Sequence, residues 1–246
     1  MINKLDLTST ISKYYLNGLI EAVKWEIKDN NLTIRFNAPD KTMIGKVTYE
    51  GFELEDSEIG ISNTTQLNKL LGITNGYLNL EYFRQHKLIT KLIIADNQFT
   101  LNYALADTMI IPKAGNYVGD GQYNIEANLD NESINAIVKA KSALAETDTV
   151  VFKPFINDDS ELQLEMLFGG NIEYSNKISF YIPDITTNDL PADFKVHYNS
   201  NMIKEIMYCN KDVANCTMGI NLDGIMSLAF DNGKMQSEYY IVAKEL

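Results

Sequence analysis

Cysteine and histidine are scarce in this chain of 246 residues, which contains two of each. Cys209 and Cys216 have no further cysteine with which to build a metal site. A disulfide between them and a pair of reduced thiols both fit the sequence. We favour the reduced thiols, because these are usual in a cytosolic protein.

The common signatures of catalysis are absent as well. His86 and His197 stand in unrelated contexts, and the chain contains no HExxH, GxSxG, P-loop or GxGxxG pattern. Acidic pairs such as Asp158-Asp159 fall in predicted turns, where carboxylates are common in any case. The sequence therefore favours a binding or structural protein over an enzyme, and it predicts neither a cofactor nor a metal.

Long apolar runs and an excess of basic residues are also missing. No stretch of about 18 apolar residues occurs, and the first ten residues lack the apolar core of a signal peptide. Lysine and arginine total 21 against 33 acidic residues, which gives a net charge of −12. This charge argues against a broad basic surface coated with nucleic acid, unless the basic residues are concentrated on one face. We expect a cytoplasmic protein with no membrane partner.

Short strand-like segments separated by turn residues are abundant, for example LTIRF at 32–36 and KISFYI at 177–182. No strand is followed at regular intervals by a long crossover helix, so antiparallel sheets are favoured over a doubly wound parallel sheet. Apolar residues at helical spacing predict four helices, and the fold class is therefore α+β. The four predicted helical segments are Thr8–Gly18, Asn63–Ile73, Asp130–Ala145 and Asn199–Asp212.

The order of these elements is duplicated along the chain. A helix, three strands, a second helix and further strands occur twice, and GISNTTQLNKLLG at 60–72 aligns with VHYNSNMIKEIMY at 196–208. The resulting period is too long for a solenoid. We therefore predict two similarly built domains, 1–105 and 126–246, joined by a connector at 106–125 that contains one proline and three glycines.

Positive charge is concentrated in the predicted helices. They carry six lysines and four carboxylates, a net charge of +2, which leaves −14 on the rest of the chain. At about 100° per residue, Lys13, Lys69 and Lys139 point away from the apolar stripes, and Lys204 and Lys211 project from one side of the last helix. Solvation alone explains any single lysine, but the repetition over four helices favours a functional basic face. Lys141 is the exception, because it falls near the apolar stripe.

The C-terminal sequence GIMSLAF…SEYYIVAKEL, at 224–246, together with the duplicated order and the connector, resembles the DNA polymerase sliding clamps of the proliferating cell nuclear antigen superfamily. Two internal stretches are similar to T-even-type phage clamps: IIADNQFTLNYALADTMIIP at 93–112 and NESINAIVKAKSALAETDTVVF at 131–152. Lys244 follows Ala243 where many cellular clamps have proline. This departure favours a viral clamp, which would act in the host cytoplasm.

The resemblance implies a ring of three two-domain subunits, with antiparallel sheets outside and two helices per domain inside. Such a homotrimer would encircle duplex DNA without reading its sequence and tether a DNA polymerase, after loading by a clamp-loader ATPase. The residues that would face DNA are Lys13, Lys69, Lys139, Lys141, Lys204 and Lys211. Neighbouring subunits would pair strands at Phe99–Ala104 and Phe194–Tyr198. The interface residues would be Phe99, Leu101, Tyr103, Phe194, Val196 and Tyr198.

The resemblance also implies an apolar pocket for partner peptides, walled by the connector and the C-terminal strand. The matching positions are Asp40, Met43, Ile44, Met109, Ile110, Ile111, Tyr240, Ile241 and Val242. An alternative interpretation is that these apolar residues, Ile241 above all, only close the core between sheets. The competing hypothesis for the whole chain is a viral two-domain β-rich structural or adaptor protein, with no DNA threaded through it. An uncharacterised enzyme is the third.

Overall fold

The structure is a computed structural model that describes residues 1–86, 88–115, 121–169 and 175–245. The chain divides into two compact units. The first contains Met1–Asn116 and Gly233–Ser237, and the second contains Tyr117–Asn232 and Glu238–Leu246. The change of unit after Asn116 falls inside the predicted connector 106–125, of which residues 116–120 lie outside the described part of the chain.

The first unit consists of two antiparallel sheets and two helices. One sheet has the strand order β1-β6-β7-β8, and the other contains β4-β3-β2-β5. The elements are β1 Ile2–Asn3, α1 Lys4–Tyr15, β2 Val23–Lys28, β3 Asn31–Asn37, β4 Met43–Glu50, β5 Ser57–Ile61, α2 Thr64–Gly72, β6 Tyr77–Gln85, β7 Leu88–Ala95 and β8 Thr100–Ala104.

The second unit repeats this design. One sheet has the order β12-β11-β10-β14, and the other contains β13-β9-β15-β16-β17. The last strand, β17, covers Met235–Val242, and Glu238–Val242 of it belong to this unit. The elements are β9 Ile125–Asp130, α3 Asn131–Ala143, β10 Thr149–Ile156, β11 Leu162–Gly169, β12 Lys177–Ile182, β13 Thr186–Thr187, β14 Val196–Asn199, α4 Ser200–Cys209, β15 Asn215–Ile220, β16 Ile225–Asp231 and β17.

Each of the four α-helices begins after an Asn or Asp whose side chain accepts a hydrogen bond from a backbone amide of the first turn. This contact satisfies one of the donors that every helix start leaves unpaired. Asn63 Oδ1 accepts from the Gln66 amide at 2.8 Å, and Asn199 Oδ1 accepts from the Met202 amide at 3.2 Å. These two caps are the residues that the sequence alignment of the two halves places together.

Several predicted elements differ from the observed ones. Helix α1 begins at Lys4 rather than Thr8, and α4 ends at Cys209, so Lys211 lies beyond the helix. Four strands lie between α1 and α2 and five between α3 and α4, where three were predicted in each half. The strands that the pattern missed were β1, β5, β6, β9, β13 and β15. They are short or rich in polar residues, and their neighbours in the sheets supply the hydrogen bonds that stabilise them.

Aromatic side chains fill the cores of both units. In the first, Trp25 is fully buried and meets the Phe52 ring edge-on, with centroids 6.1 Å apart. In the second, Phe152 packs against Tyr198 at 5.7 Å. Such edge-to-face pairs add to the free energy gained from apolar burial. Both cysteines are free and buried, which confirms the prediction of reduced thiols, and burial raises the pKa of the Cys216 thiol.

Candidate functional site

Two of the six predicted DNA-facing lysines are solvent-exposed cations on helix surfaces. Lys69 lies on α2 and Lys139 on α3. Within the part of the chain that the structure describes, neither forms a salt bridge. Their charges are therefore available to an anion in solution.

Lys204 and Lys211 are engaged in local contacts at α4. The Lys204 ammonium lies 3.0 Å from the Glu205 carboxylate, so this pair has no net charge. The Lys211 ammonium lies 4.2 Å from the centroid of the Tyr208 ring, in cation–π geometry. Tyr208 is exposed, and sequence reasoning did not select it because a single tyrosine carries no pattern.

Lys13 is buried, with 1% of its surface exposed, so the prediction that it points away from the apolar stripe was wrong. The prediction assumed a narrow buried face on α1. In the structure Thr10, Ile11 and Tyr14 are buried along with Lys13. The buried face of the last turns is therefore wide enough to include the lysine.

Lys141 is also buried, with 2% of its surface exposed, and does not reach the surface as a DNA-facing residue would. Its ammonium donates hydrogen bonds to the carbonyls of Leu144 at 3.2 Å and Ala145 at 2.9 Å. These carbonyls follow the end of α3, where a cation is favourable. Burial, with a smaller contribution from Lys204, lowers the pKa of Lys141. This lysine caps its own helix.

The start of the connector presents two apolar side chains to solvent. Asp107 accepts a hydrogen bond from the Met109 amide at 2.9 Å and so begins a single 3₁₀ turn, Thr108–Ile110. Met109 is 85% exposed and Ile110 is 73% exposed. Exposed apolar side chains held on an ordered turn are suited to contact with an apolar partner.

The remaining residues of the predicted peptide pocket divide into exposed and buried groups. Asp40 is exposed, Ile44 and Tyr240 are half-buried, and Val242 is exposed. Met43, Ile111 and Ile241 are buried, which corrects their assignment to a solvent-accessible wall. The burial of Ile241 agrees with the alternative interpretation, in which it is a core residue.

Strand β8 lies at one end of its sheet, so one of its two backbone edges pairs with β7 and the other faces away from it. The Asp96 amide donates to the Phe99 carbonyl, and the Leu105 amide donates to the Thr90 carbonyl. The backbone N–H and C=O groups of the odd-numbered residues in this segment therefore point towards β7. The backbone groups of Asn102 therefore face outward. The side chains of Leu101 and Tyr103, predicted as interface residues, are buried in the first unit instead. Phe99 precedes the strand and is exposed.

The strand predicted to pair with β8 in a neighbouring subunit is β14, and the structure argues against it. Phe194 precedes the strand in a turn, and the side chains of Val196 and Tyr198 are buried. The Lys244 amide also donates to the His197 carbonyl at 2.7 Å, so the C-terminal segment of the chain occupies this edge. At the opposite end of the same sheet lies β12, whose side chains alternate between exposed and half-buried up to Ile182.

Neither a cluster of metal ligands nor a membrane-spanning helix is found in the residues that the structure describes. There, no three His, Cys, Asp or Glu side chains converge as metal ligands would. None of the described helices combines the length and apolar character needed to cross a bilayer.

Comparison with solved structures identifies the fold. The chain superposes on Proliferating Cellular Nuclear Antigen from Entamoeba histolytica with a TM-score of 0.75 at 15% identity, covering 99% of this chain and 96% of that one. The chain has the fold of a sliding clamp. The PCNA of A. fulgidus, solved with the C-terminal region of FEN-1 bound, matches with a TM-score of 0.73 at 15% identity, covering 98% of this chain and 96% of that one.

A third similar structure is PCNA from Thermococcus kodakaraensis. It matches with a TM-score of 0.74 at 12% identity, and the match covers 99% of this chain and 98% of that one. No protein-family model and no curated protein sequence matches the chain. The predicted α+β class with antiparallel sheets is confirmed, and the likeness lies in the fold rather than in the sequence.

Proposed function

We propose that this protein is a sliding clamp: a homotrimeric ring that encircles duplex DNA and tethers a DNA polymerase during processive synthesis. The observation that carries the proposal is the match of nearly the whole chain to PCNA structures from three organisms. A match of one unit alone would be compatible with an unrelated use of the fold, whereas here both units and their order match. The protein then acts as a scaffold rather than as an enzyme.

The charge distribution supports loose contact with DNA. The exposed, unpaired helix cations are Lys69 and Lys139, so a trimer would present six such charges to the duplex. Contacts to phosphate oxygens carry no sequence information, and a small number of them permits movement along the DNA. The strongly acidic remainder of the chain would keep duplex DNA away from other surfaces.

Ring closure is assigned to pairing between β8 of one subunit and β12 of the next. Both strands end their sheets, and β14 is disfavoured because Lys244 already bonds to its edge. Pairing of two strand edges satisfies backbone donors and acceptors that are otherwise left to water. This replaces the pairing with 194–198 expected from the sequence.

The experiment that tests the proposal combines the mass of the oligomer with the retention of the ring on circular and linear DNA. Native mass spectrometry is expected to give a species at three times 27.8 kDa. A ring loaded onto nicked circular DNA by a clamp-loader ATPase should stay bound through gel filtration at high salt, and should be lost once the circle is linearised. A strict monomer that never remains on circular DNA would instead favour the structural or adaptor alternative, and a dimer or open filament would contradict the ring.

A second prediction concerns the connector as the docking surface for partner peptides. Replacing Met109 and Ile110 together by alanine should weaken binding of a polymerase C-terminal peptide about tenfold or more, because two exposed apolar anchors are lost. Fluorescence anisotropy with the labelled peptide measures the change. The matched control is Leu222→Ala, another exposed apolar residue, located in the second unit. Unchanged affinity in the double variant would refute the connector assignment.

A further inference from the structure

We propose that a groove in the first unit binds an extended basic peptide from another protein, which adds as a strand to the free edge of β5. This surface is separate from the exposed turn Met109–Ile110. The groove has a volume of about 380 Å³. Its walls come from β5, from the β6–β7 hairpin, and from the segment that follows β8: Asp56–Gly60, Arg84, Leu88–Thr90 and 105–108.

One end of the groove is closed by the chain itself. The Ala106 amide donates to the Gly60 carbonyl at 2.9 Å, and the two residues form an isolated antiparallel bridge. A Cβ atom at Gly60 would lie 2.6 Å from the Ala106 carbonyl oxygen, so only glycine permits this approach. The segment that leaves β8 therefore starts to pair with β5 at a single position.

Beyond that bridge the backbone edge of β5 is open. Because the Gly60 carbonyl faces Ala106, the backbone groups of Glu58, two residues earlier in the strand, face the same way. The strand order places β5 at the end of its sheet. In the described part of the chain, the Glu58 amide and carbonyl have no hydrogen-bond partner on that side. An extended peptide would continue the pairing that Ala106 begins.

The groove also offers an apolar floor for alternate side chains. Ile59 is buried, Ile89 and Leu105 are half-buried, and Leu88 is 69% exposed at the mouth. Along a strand every second side chain points to the same face. A bound strand would therefore place alternate apolar side chains on this floor and the intervening ones at the rim.

The negative charge of the rim favours a basic partner. Three of the lining side chains are carboxylates, Asp56, Glu58 and Asp107, and one is a guanidinium, Arg84. The net charge of these four is −2. It remains −2 when the ion-pair partners are included, since Glu58 is paired with a lysine and Arg84 with a glutamate. Nucleic acid is disfavoured by this charge, whereas alternating lysine and apolar residues satisfy both rim and floor.

The test uses a fluorescein-labelled octapeptide of alternating lysine and valine, and fluorescence anisotropy with the full-length protein. The double variant D56N/E58Q should bind it about fivefold more weakly, from the loss of two exposed charge pairs. Because the whole protein has a charge of −12, the control is E50Q/E81Q, which removes two exposed carboxylates of the same unit outside the groove. That control should leave the affinity unchanged.

Strand pairing is tested separately by the same peptide with alternate backbone amides methylated. Methylation removes the donors but keeps the charge, so binding should fall at least as far as in D56N/E58Q. Equal binding of the methylated and unmethylated peptides, or equal weakening in E50Q/E81Q, would reduce the interaction to general electrostatic adsorption and overturn the proposal. A change of oligomeric state in Glu58→Pro would identify the edge as a contact between copies of this chain, which also overturns it.

Discussion

Replacing Asn102 by proline is expected to convert the proposed ring into monomers. The backbone amide of Asn102 faces away from β7, and its side chain is exposed. Proline at this position removes an outward donor and costs no hydrogen bond to β7, as is tolerated on edge strands. If β8 pairs with β12 of the next subunit, an acceptor on β12 is left without a partner. The dissociation constant of the subunit contact should rise by about 10- to 100-fold.

The measurement is native mass spectrometry over a range of protein concentrations, with thermal unfolding recorded in parallel. Asn102→Ala is the matched control, because it removes the same side chain and keeps the amide; it should remain trimeric. A trimeric Asn102→Pro variant with unchanged dissociation would exclude β8 as the ring-closing edge. The assignment of β12 as the partner strand is checked by placing one cysteine in β8 and one in β12 and testing for a disulfide between subunits.

Reversing the charge of the two exposed helix lysines is expected to weaken the binding of duplex DNA and the loading of the ring. The double variant K69E/K139E would replace six positive charges by six negative ones in a trimer. Each lysine that no longer contacts a phosphate lowers the slope of log affinity against log salt concentration by about one. We expect affinity for duplex DNA to fall about tenfold or more at low salt, and fewer rings to be loaded onto circular DNA.

The matched control is K28E/K46E, which changes the total charge equally at two exposed strand lysines of the first unit. It should bind DNA nearly as well as the natural sequence, because these residues do not lie on a helix. Equal loss in both double variants would mean that only the net charge matters, and it would refute the helix face as the DNA-contacting surface. Both variants are surface substitutions, so their unfolding temperatures should stay close to that of the natural protein.

The interpretation of the helix lysines shows where sequence reasoning succeeds. Lys69 and Lys139 lie opposite apolar stripes, as the 100° rotation per residue predicted, and both are exposed. The caps at Asn63 and Asn199 follow from the sequence equally well, because a cap is a contact within one turn. Features governed by neighbours in the chain can be predicted from the order of residues.

Lys13 shows where it fails, because the same rotation pointed it away from its apolar stripe and yet it is buried. Whether a helix lysine is covered depends on the width of the buried face, which is set by elements distant in sequence. The same holds for the strand edges, since β12 and β14 both end their sheet in the strand order, and only the contact of Lys244 with His197 distinguishes them.

The sequence by itself determined the α+β class, the duplicated order and the four helices. It did so because hydrophobic periodicity, caps and turns act over a few residues. The tertiary structure alone decided which lysines are exposed, which sheet edges are free, and that a groove lies beside β5. These properties depend on the packing of segments far apart in the chain, and no local pattern records that packing.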